Sequence, residues 1–597
     1  MKGIHNRILK VDLTRKTSEI EVLPPHVYRA CLGGKGLATY LLLNLNPPSV
    51  DPLSPENNIV FATGPVTGSR LWGSCRYGVY TKSPQTAFYS ESYAGGKAPE
   101  AMDSAGFDAI VIGGRCDRPS VLVIDPNGAN FHDAADIWGR ETYETEDILF
   151  ERFGHSAKGY SRGGAVVIGP ASENLVSFGV IENDYWRSAG RTGAGTVMGA
   201  KKLKGIFFQG NRRRPVADLG MVHDFALEIS KTGKDNPGAK AYKSMGTPML
   251  VDIMNEAGGF PTRYWQKGQS GHRERINASA LAERCDVTPH ACLKCFMACG
   301  RLSVVKEGRF KGLKIEGPEY ETIYSFGGLC EIGSIEEIVY LNDICDRLGM
   351  DTITAGNLCG LAIEAARQGR IKLRIDYGDV DAVAELLHDI AYGRSYGIVL
   401  AKGIKHAARE WEMEDQAIHV KGLEPAGYDP RILKGMGLAY GTSDRGACHL
   451  RATFYKPELS NMIPRDQIEG KAAMFAAWED RLTIFDTLVL CRFYRDMYQW
   501  EEITTMLKAT TGLELDIEQM RGIASAVTDN TRRFNIREGL TARDDSLPKR
   551  FLTEALPETN RVITEEEMSR LLSDYYEARG WDEKGIPPST AQSSSLS

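Results

Sequence analysis

The sequence lacks the segments that would place a protein in a membrane or mark it for secretion. Its start, from Met1 to Arg7, has no basic, apolar and small-residue order of a signal peptide. No window approaches the roughly 18 uninterrupted apolar residues of a membrane span. Basic residues are not in excess, since 72 Lys and Arg face 78 Asp and Glu, which gives no support for nucleic-acid binding. We therefore expect a cytoplasmic protein without a membrane span or a nucleic-acid partner.

The length and composition are those of a folded protein with several domains. Its 597 residues are 42% hydrophobic and 25% charged, which predicts two to four domains. Short β-branched runs separated by turns fill the first 210 residues, for example 109–113 and 121–124. Beyond the basic stretch 211–215 apolar residues recur at helical spacing, as in 334–346, 382–391 and 564–576. The tail 587–597 has no core-forming content and is expected to be disordered.

The twelve cysteines are unevenly placed, because four of them fall within fifteen positions. In a cytosolic protein such a group indicates metal binding before disulfides. Cys292, Cys295 and Cys299 are spaced so that a loop running into a helical turn could point three sulfurs at one site. A [4Fe–4S] cluster needs a fourth cysteine, often from far along the chain, whereas zinc would need a second Cys-x-x-Cys pair, which is missing. Spacing favours iron–sulfur and leaves Cys285 open as a fourth ligand.

Nine further segments follow one another along nearly the whole chain. They are 32–38, 62–69, Arg76 with 81–84, 190–199, 316–322, 349–356, 424–431, 442–451 and 486–491. Together they resemble the aldehyde:ferredoxin oxidoreductase family, whose members hold tungsten between two pyranopterins. The resemblance implies an α+β fold of three domains: a β-rich N-terminal pterin-base domain at 1–212, a helical domain with the cysteine loop at 213–424, and a C-terminal helical domain at 425–597.

The resemblance also implies which residues bind the cofactors. Cys491 becomes the fourth ligand of the [4Fe–4S] cluster, and Cys285 is left spare. Asp351 and Asp486 begin paired motifs that each hold one pterin, because carboxylates accept hydrogen bonds from pterin amines. The other implied contacts are Arg76 between cluster and pterin, Tyr93 where relatives often carry Asn, Gly95, Arg191 and Thr192 near the pterin phosphates, Gly356 closing the first motif, and Arg451 at a basic position. The expected metal is tungsten or molybdenum; the sequence does not distinguish them, because the pterins rather than protein residues hold the metal. Mg²⁺ is expected between the pterin phosphates.

The chemistry of aldehyde oxidation sets the remaining demands on the site. Water's oxygen is added to the carbonyl carbon while two electrons and protons leave. A carboxylate that accepts a proton and an imidazole that polarises the carbonyl suit this reaction. By resemblance the imidazole is His449. Glu319 is the preferred carboxylate, with Glu321 close behind and Glu316 third, because in an extended segment Glu319 and Glu321 would share one face.

Electrons are expected to pass through the pterin and the cluster to ferredoxin or a ferredoxin-like subunit, in a homodimer or a hetero-oligomer. One alternative lies within the same family: the tungsten subunit of a benzoyl-CoA-reductase-type complex, which reduces an aromatic thioester. The Cys448-His449-Leu-Arg451 context favours the aldehyde reaction over it modestly. A zinc-stabilised binding protein is the second alternative, but it leaves the two Asp motifs unexplained.

Overall fold

The computed structural model describes residues 1–154 and 163–589. Residues 590–597 of the tail that we predicted to be disordered lie outside this range. Within the described ranges, no helix has the length and apolar character needed to cross a membrane.

Strands concentrate in the N-terminal part of the chain. The strands are β1 Ile8–Asp12, β2 Thr17–Glu21, β3 Ile59–Ala62, β4 Tyr77–Lys82, β5 Tyr89–Ala94, β6 Ala109–Gly113, β7 Ser120–Asp125, β8 Gly128–Asp133, β9 Gly164–Val167, β10 Ile181–Asn183, β11 Arg187–Ala189, β12 Leu203–Phe208, β13 Cys285–His290, β14 Gly300–Val305 and β15 Lys314–Glu316. Two six-stranded sheets have the orders β2-β1-β6-β3-β4-β5 and β11-β10-β9-β12-β7-β8. Both are mixed, because β1 pairs with β6, and β12 with β7, in parallel.

The two sheets pack face to face, and period-2 alternation decides which residues meet. Phe61 and Ile110 point into a core that they share with Ile206 and Phe208 of the second sheet. Their neighbours Val60 and Val111 point the other way, into a cluster covered by helical residues 37–42. Both faces of these strands are therefore buried, which is why their sequences are continuous apolar runs rather than alternating ones.

Helices dominate beyond residue 218. The helices are α1 Pro25–Cys31, α2 Gly34–Leu45, α3 Ala98–Ser104, α4 Thr142–Phe153, α5 Pro170–Glu173, α6 Ala194–Ala200, α7 Leu219–Asp235, α8 Pro237–Met245, α9 Leu250–Glu256, α10 Arg273–Ile276, α11 Ala278–Arg284, α12 Tyr320–Thr322, α13 Ile335–Leu348, α14 Thr352–Arg367, α15 Val380–Tyr392, α16 Gly397–Leu400, α17 Ile404–Glu410, α18 Lys434–Thr442, α19 Tyr455–Leu459, α20 Lys471–Leu488, α21 Trp500–Thr511, α22 Ile517–Arg537, α23 Lys549–Thr553 and α24 Glu565–Arg579.

The predicted α+β order, strands first and helices after, is confirmed. The helical spacing in 334–346 and 382–391 corresponds to α13 and α15, and Thr564 caps α24 by accepting the Glu567 N–H at 3.1 Å. One element was not predicted: a small antiparallel sheet, β13-β14-β15, within the helical part. The division into domains at 212 and 424 stays a prediction.

Candidate active site

The cysteine loop, residues 291–299, connects β13 to β14. These strands pair antiparallel from Cys285 opposite Val305 to His290 opposite Gly300, so both ends of the loop are fixed by one hairpin. The expectation that the loop runs into a helical turn is wrong, because the chain enters β14 at Gly300. The loop therefore stands at the end of a sheet.

Cys491 reaches the cysteine loop from nearly two hundred positions away along the chain. It follows α20 and precedes a 3-10 turn, Arg492–Tyr494, whose Tyr494 hydroxyl lies 3.3 Å from Cys295 Sγ. Burial, and next the Cys491 thiol, raise the pKa of Cys295 to about 11. Cys285 lies elsewhere, buried in the large core of the helical part. The structure thus brings Cys491 to the loop and leaves Cys285 apart.

Four of the twelve cysteines are partly accessible, and they are Cys292, Cys295, Cys299 and Cys491. The other eight are buried, as free cysteines usually are. In the described part of the chain no three His, Cys, Asp or Glu side chains converge on a single ion. Three thiols from one loop with a fourth from Cys491 make the four-cysteine set that a [4Fe–4S] cubane needs.

Arg76 and Gly95 lie beside this group of thiols. The Arg76 guanidinium is 3.9 Å from Cys491 Sγ through Nη1 and donates through Nη2 to the Tyr93 carbonyl at 3.2 Å. A side chain at Gly95 would place its first carbon 2.6 Å from Cys292 Sγ, so only glycine permits this close approach. Gly95 therefore lies against the cysteine loop and Arg76 beside Cys491, and Tyr93 is joined to Arg76 through its carbonyl.

The second aspartate region comprises residues 486–491 with Arg451 and Arg492. Asp486 Oδ2 accepts from Arg451 Nη1 and from Arg492 Nη2, the latter at 2.5 Å. Nε and Nη2 of Arg451 and Nη1 of Arg492 are buried without a partner among the described residues. Unpaired guanidinium N–H groups in a buried site are donors for an anion, and a phosphate has the oxygen geometry to receive them. These two arginines therefore fit the phosphate end of a pterin.

A buried ionic network continues from this region. Arg451 Nη1 is 2.5 Å from Glu91 Oε1, and Lys35 Nζ lies 2.9 Å from the same oxygen and 2.6 Å from Asp444 Oδ2. The Tyr93 hydroxyl donates to the other oxygen of Glu91 at 2.7 Å. Burial opposes ionisation of Glu91, but Arg451 and then Lys35 hold its pKa well below the usual range.

The first aspartate region comprises residues 351–356 with Arg191. Asp351 caps α14, with one oxygen accepting a backbone N–H at 3.0 Å and the other the Thr354 hydroxyl at 2.8 Å. Arg191 donates to Asp351 at 3.0 Å, to the Ala447 carbonyl at 3.2 Å and to the Glu424 carbonyl at 2.8 Å. Every nitrogen of this guanidinium has a partner, unlike those of the second region.

Two further predicted residues, Thr192 and Gly356, make close contacts within the protein. Thr192 lies in the left-handed region at φ 69°, with its hydroxyl 2.6 Å from Ser90 Oγ. A side chain at Gly356, inside α14, would place its first carbon 2.6 Å from the Ser325 Cβ. Their cofactor contacts stay predictions.

Glu321 and His449 form a buried pair. Glu321 Oε1 lies 3.5 Å from His449 Nε2, and Glu321 Oε2 accepts the Gly427 N–H at 3.0 Å. Burial raises the pKa of Glu321 to about 8. Burial, followed by Arg191, lowers the pKa of His449 well below its usual value. At neutral pH the imidazole is therefore uncharged, and the carboxyl is mostly protonated but able to titrate near the working pH.

Glu319 points away from this pair. Its carboxylate accepts from the Thr247 hydroxyl, and its charge is a cause of the raised pKa of Cys299. The expectation that Glu319 and Glu321 share one face is wrong, because the chain turns helical at Tyr320. Two residues in a helix are about 200° apart, so the side chains diverge.

Glu316 lies at the end of β15 and pairs with Arg187 through one oxygen, while its other oxygen is 3.0 Å from His290 Nδ1. It therefore belongs to the edge of the cysteine loop. Several charged residues of the site were not singled out from the sequence: Lys35, Glu91, Glu424, Arg445 and Arg492. Arg492 had one available signal, its position directly after Cys491.

Comparisons with known proteins agree with this arrangement. The family profile described as "Aldehyde ferredoxin oxidoreductase, N-terminal domain" matches residues 8–210, and that described as "domains 2 & 3" matches 224–594. The tungsten-containing aldehyde ferredoxin oxidoreductase of Pyrococcus furiosus is 33% identical over 601 residues, covering 98% of each chain. That of Thermococcus kodakarensis is 34% identical over 602 residues, also with 98% of each covered.

A solved structure shares the fold. The active-site complex BamBC of benzoyl coenzyme A reductase, with 1,5-dienoyl-CoA, matches at a TM-score of 0.84 and 22% identity, over 98% of this chain and 96% of that chain. The two profiles cover nearly the whole sequence and confirm the resemblance read from its nine segments. The chain is therefore an oxidoreductase that belongs to the aldehyde ferredoxin oxidoreductase family.

Proposed function

We propose that this chain oxidises aldehydes to carboxylic acids at a tungsten-bispyranopterin site and passes the electrons through one [4Fe–4S] cluster to ferredoxin or a similar carrier. The observation that carries the proposal is the buried Glu321–His449 pair, close enough to Arg451 and Arg492, with their partnerless donors, for both charges to act on His449. The names of the Pyrococcus and Thermococcus relatives support the metal and the substrate class.

The second aspartate region would hold the phosphate end of the pterin, with Mg²⁺ bridging the phosphates. Asp351 and Asp486 would each face one pterin. When bound, the tungsten pterin supplies the two-electron acceptor and the Lewis-acid centre for oxygen transfer. The low dielectric of the buried site strengthens every one of these charge-assisted contacts.

The chain's own residues would handle the proton and the carbonyl. His449 Nδ1 and Glu321 Oε1 are both buried without a hydrogen-bond partner among the described residues. A neutral imidazole protonated at Nδ1 can donate to the aldehyde oxygen and so polarise the carbonyl. Ionised Glu321 can take the proton released during oxidation on Oε1. We therefore assign the carboxylate role to Glu321 rather than to Glu319.

The partly accessible cysteines support an outward path for electrons. Cys292, Cys295, Cys299 and Cys491 would hold the cluster, and Arg76, which is 3.9 Å from Cys491 Sγ, donates to the Tyr93 carbonyl of β5. An external ferredoxin, or a ferredoxin-like subunit of a hetero-oligomer, would collect electrons there. A homodimer of this chain is compatible with the same route.

The test is replacement of the two proposed catalytic residues. Glu321→Gln and His449→Ala should lower kcat for an aldehyde, with a viologen as acceptor, by about 10²- to 10⁴-fold. Metal, pterin and iron contents should stay unchanged. Glu319→Gln is the matched comparison and should lose less than about tenfold, since its carboxylate lies on Thr247. Collapse of turnover in Glu319→Gln with retention in Glu321→Gln would reverse the assignment.

A second candidate is the reduction of an aromatic thioester, favoured by the fold match to the benzoyl coenzyme A reductase complex. A fully loaded enzyme that is inactive on an aldehyde panel but oxidises a dienoyl-CoA with viologen would establish it. Activity on aldehydes alone would exclude it.

A further inference from the structure

Five consecutive backbone carbonyls, at residues 424–428, each accept a hydrogen bond from a buried side chain. The donors are Arg191 to Glu424 O at 2.8 Å, the Tyr324 hydroxyl to Pro425 O at 2.5 Å, the Tyr440 hydroxyl to Ala426 O at 2.9 Å and to Tyr428 O at 3.1 Å, and the Tyr320 hydroxyl to Gly427 O. The segment has neither helix nor strand to bond its carbonyls, so these side chains replace secondary structure. We call Tyr320, Tyr324 and Tyr440 the tyrosine clamp.

Gly427 connects the tyrosine clamp to Glu321. Its carbonyl accepts from Tyr320, and its N–H donates to Glu321 Oε2 at 3.0 Å, so two adjacent residues hold it from both sides. A side chain at Gly427 would place its first carbon 2.7 Å from ring atoms of Tyr324, which requires glycine here. The three clamp tyrosines are at most 1% exposed, so water does not compete for these bonds.

We propose that Tyr320, Tyr324 and Tyr440 are positioning residues that hold the Gly427 N–H on Glu321 and so favour the ionised form of its carboxyl. The inference rests on the proposed role of Glu321 as proton acceptor. A hydrogen bond donated to a carboxylate stabilises the charge, which here opposes the burial that favours the neutral acid.

Other groups also face Glu321 and contribute to its titration. They are His449 at 3.5 Å, the cation Arg191, the acidic Asp351 and Cys448, and the phenols of Tyr320, Tyr324, Tyr428 and Tyr440. Tyr320→Phe leaves His449, Arg191, Asp351 and Cys448 in place and removes only the hydroxyl that anchors Gly427. Its effect therefore isolates the clamp.

The experiment compares Tyr320→Phe with Tyr28→Phe in the loaded enzyme. Tyr28 is also fully buried, but its hydroxyl donates to Asp108 in the N-terminal part at 3.0 Å. In Tyr320→Phe the midpoint of the pH–kcat profile should rise by about one unit, which lowers kcat at pH 7 about tenfold and restores it at high pH. The infrared carbonyl stretch of protonated Glu321, identified by its loss in Glu321→Gln, should titrate with the same shift.

Both variants should unfold at lower temperature, but Tyr28→Phe should shift neither titration. An unchanged infrared titration in Tyr320→Phe, or an equal shift in Tyr28→Phe, would overturn the proposal. If Tyr320→Phe does not fold, Tyr440→Phe is measured in its place and should move both midpoints in the same direction. A shifted infrared titration in an enzyme that oxidises no aldehyde would keep the clamp and reject the proposed function.

Discussion

The two aspartate regions look alike in sequence and differ in structure. Both begin Asp-Thr followed by an aliphatic residue, at Asp351 and at Asp486. Asp351 precedes α14 and caps its first turn, whereas Asp486 lies two residues before the end of α20. Similar local sequences therefore stand at opposite ends of a helix, where a carboxylate meets different backbone groups.

The arginines paired with the two aspartates also differ, in whether their guanidinium nitrogens have partners. Each nitrogen of the Arg191 guanidinium bonds to Asp351 or to one of two backbone carbonyls, so Arg191 joins these segments. Arg451 and Arg492 share Asp486 and keep buried donors without partners. The arginine of the first region thus has a partner on every guanidinium nitrogen, whereas those of the second region keep buried donors available to an anion. The second region also leads directly to Cys491. Three predictions test this contrast.

The largest difference is expected between substitutions of the two cysteines that follow the aspartates, Cys491 and Cys359. Cys491→Ala removes a proposed cluster ligand at the end of the second region, so we expect loss of most of the iron and at least about 100-fold slower viologen reduction. Cys359 lies further along α14, the helix that Asp351 caps. Cys359→Ala removes a thiol buried in the helical core. It should keep its iron and lose about 1 kcal/mol of stability. A full iron content in Cys491→Ala would remove that residue from the ligand set.

Replacing the two aspartates should affect two different properties. Asp351→Asn should change the pH dependence of kcat, and Asp486→Asn should change the stability of the fold. Asp351 is a negative neighbour that raises the pKa of Glu321, so Asp351→Asn should lower it and move the midpoint of the pH–kcat profile down from about 8 by up to about one unit. Asp486 is not among the largest causes of the raised pKa of Glu321, so Asp486→Asn should move the midpoint less than Asp351→Asn does. It should instead cost about 3–5 kcal/mol in denaturant unfolding, because the buried Arg492 loses its counter-charge and Arg451 keeps only Glu91. Equal midpoints in the two variants would contradict the contrast.

The smallest effect concerns one threonine in each region. The Thr354 hydroxyl lies 2.8 Å from both Asp351 Oδ2 and Glu424 Oε2, whereas that of Thr487 bonds the Thr483 carbonyl within its own helix at 2.8 Å. Thr354→Val should cost about 2 kcal/mol and Thr487→Val less than about 1 kcal/mol, because only the first removes the hydroxyl between two buried carboxyl groups. Denaturation midpoints of the two variants measure this directly.

Local pattern was sufficient for much of the fold. The apolar run 109–113 and the helical spacing of 334–346 each match an observed element. The sheet β13-β14-β15 was missed, because its strands are short and rich in polar residues, and Pro289 lies inside one of them. Such strands are held by pairing with distant residues rather than by their own propensity. The error over Glu319 and Glu321 has the same origin, since an extended and a helical segment place alternate residues differently.

The sequence by itself determined the kinds of residue available and their spacing: three cysteines in one loop, a histidine and candidate glutamates, and the order of strands before helices. Only the tertiary structure decided which glutamate meets His449, which arginines retain unpaired donors, and that three tyrosines hold the Gly427 amide on Glu321. These outcomes depend on burial and on contacts between residues up to several hundred positions apart. Burial increases the free-energy effect of each hydrogen bond that is formed or left unformed. No local sequence pattern encodes which distant groups will share a buried site.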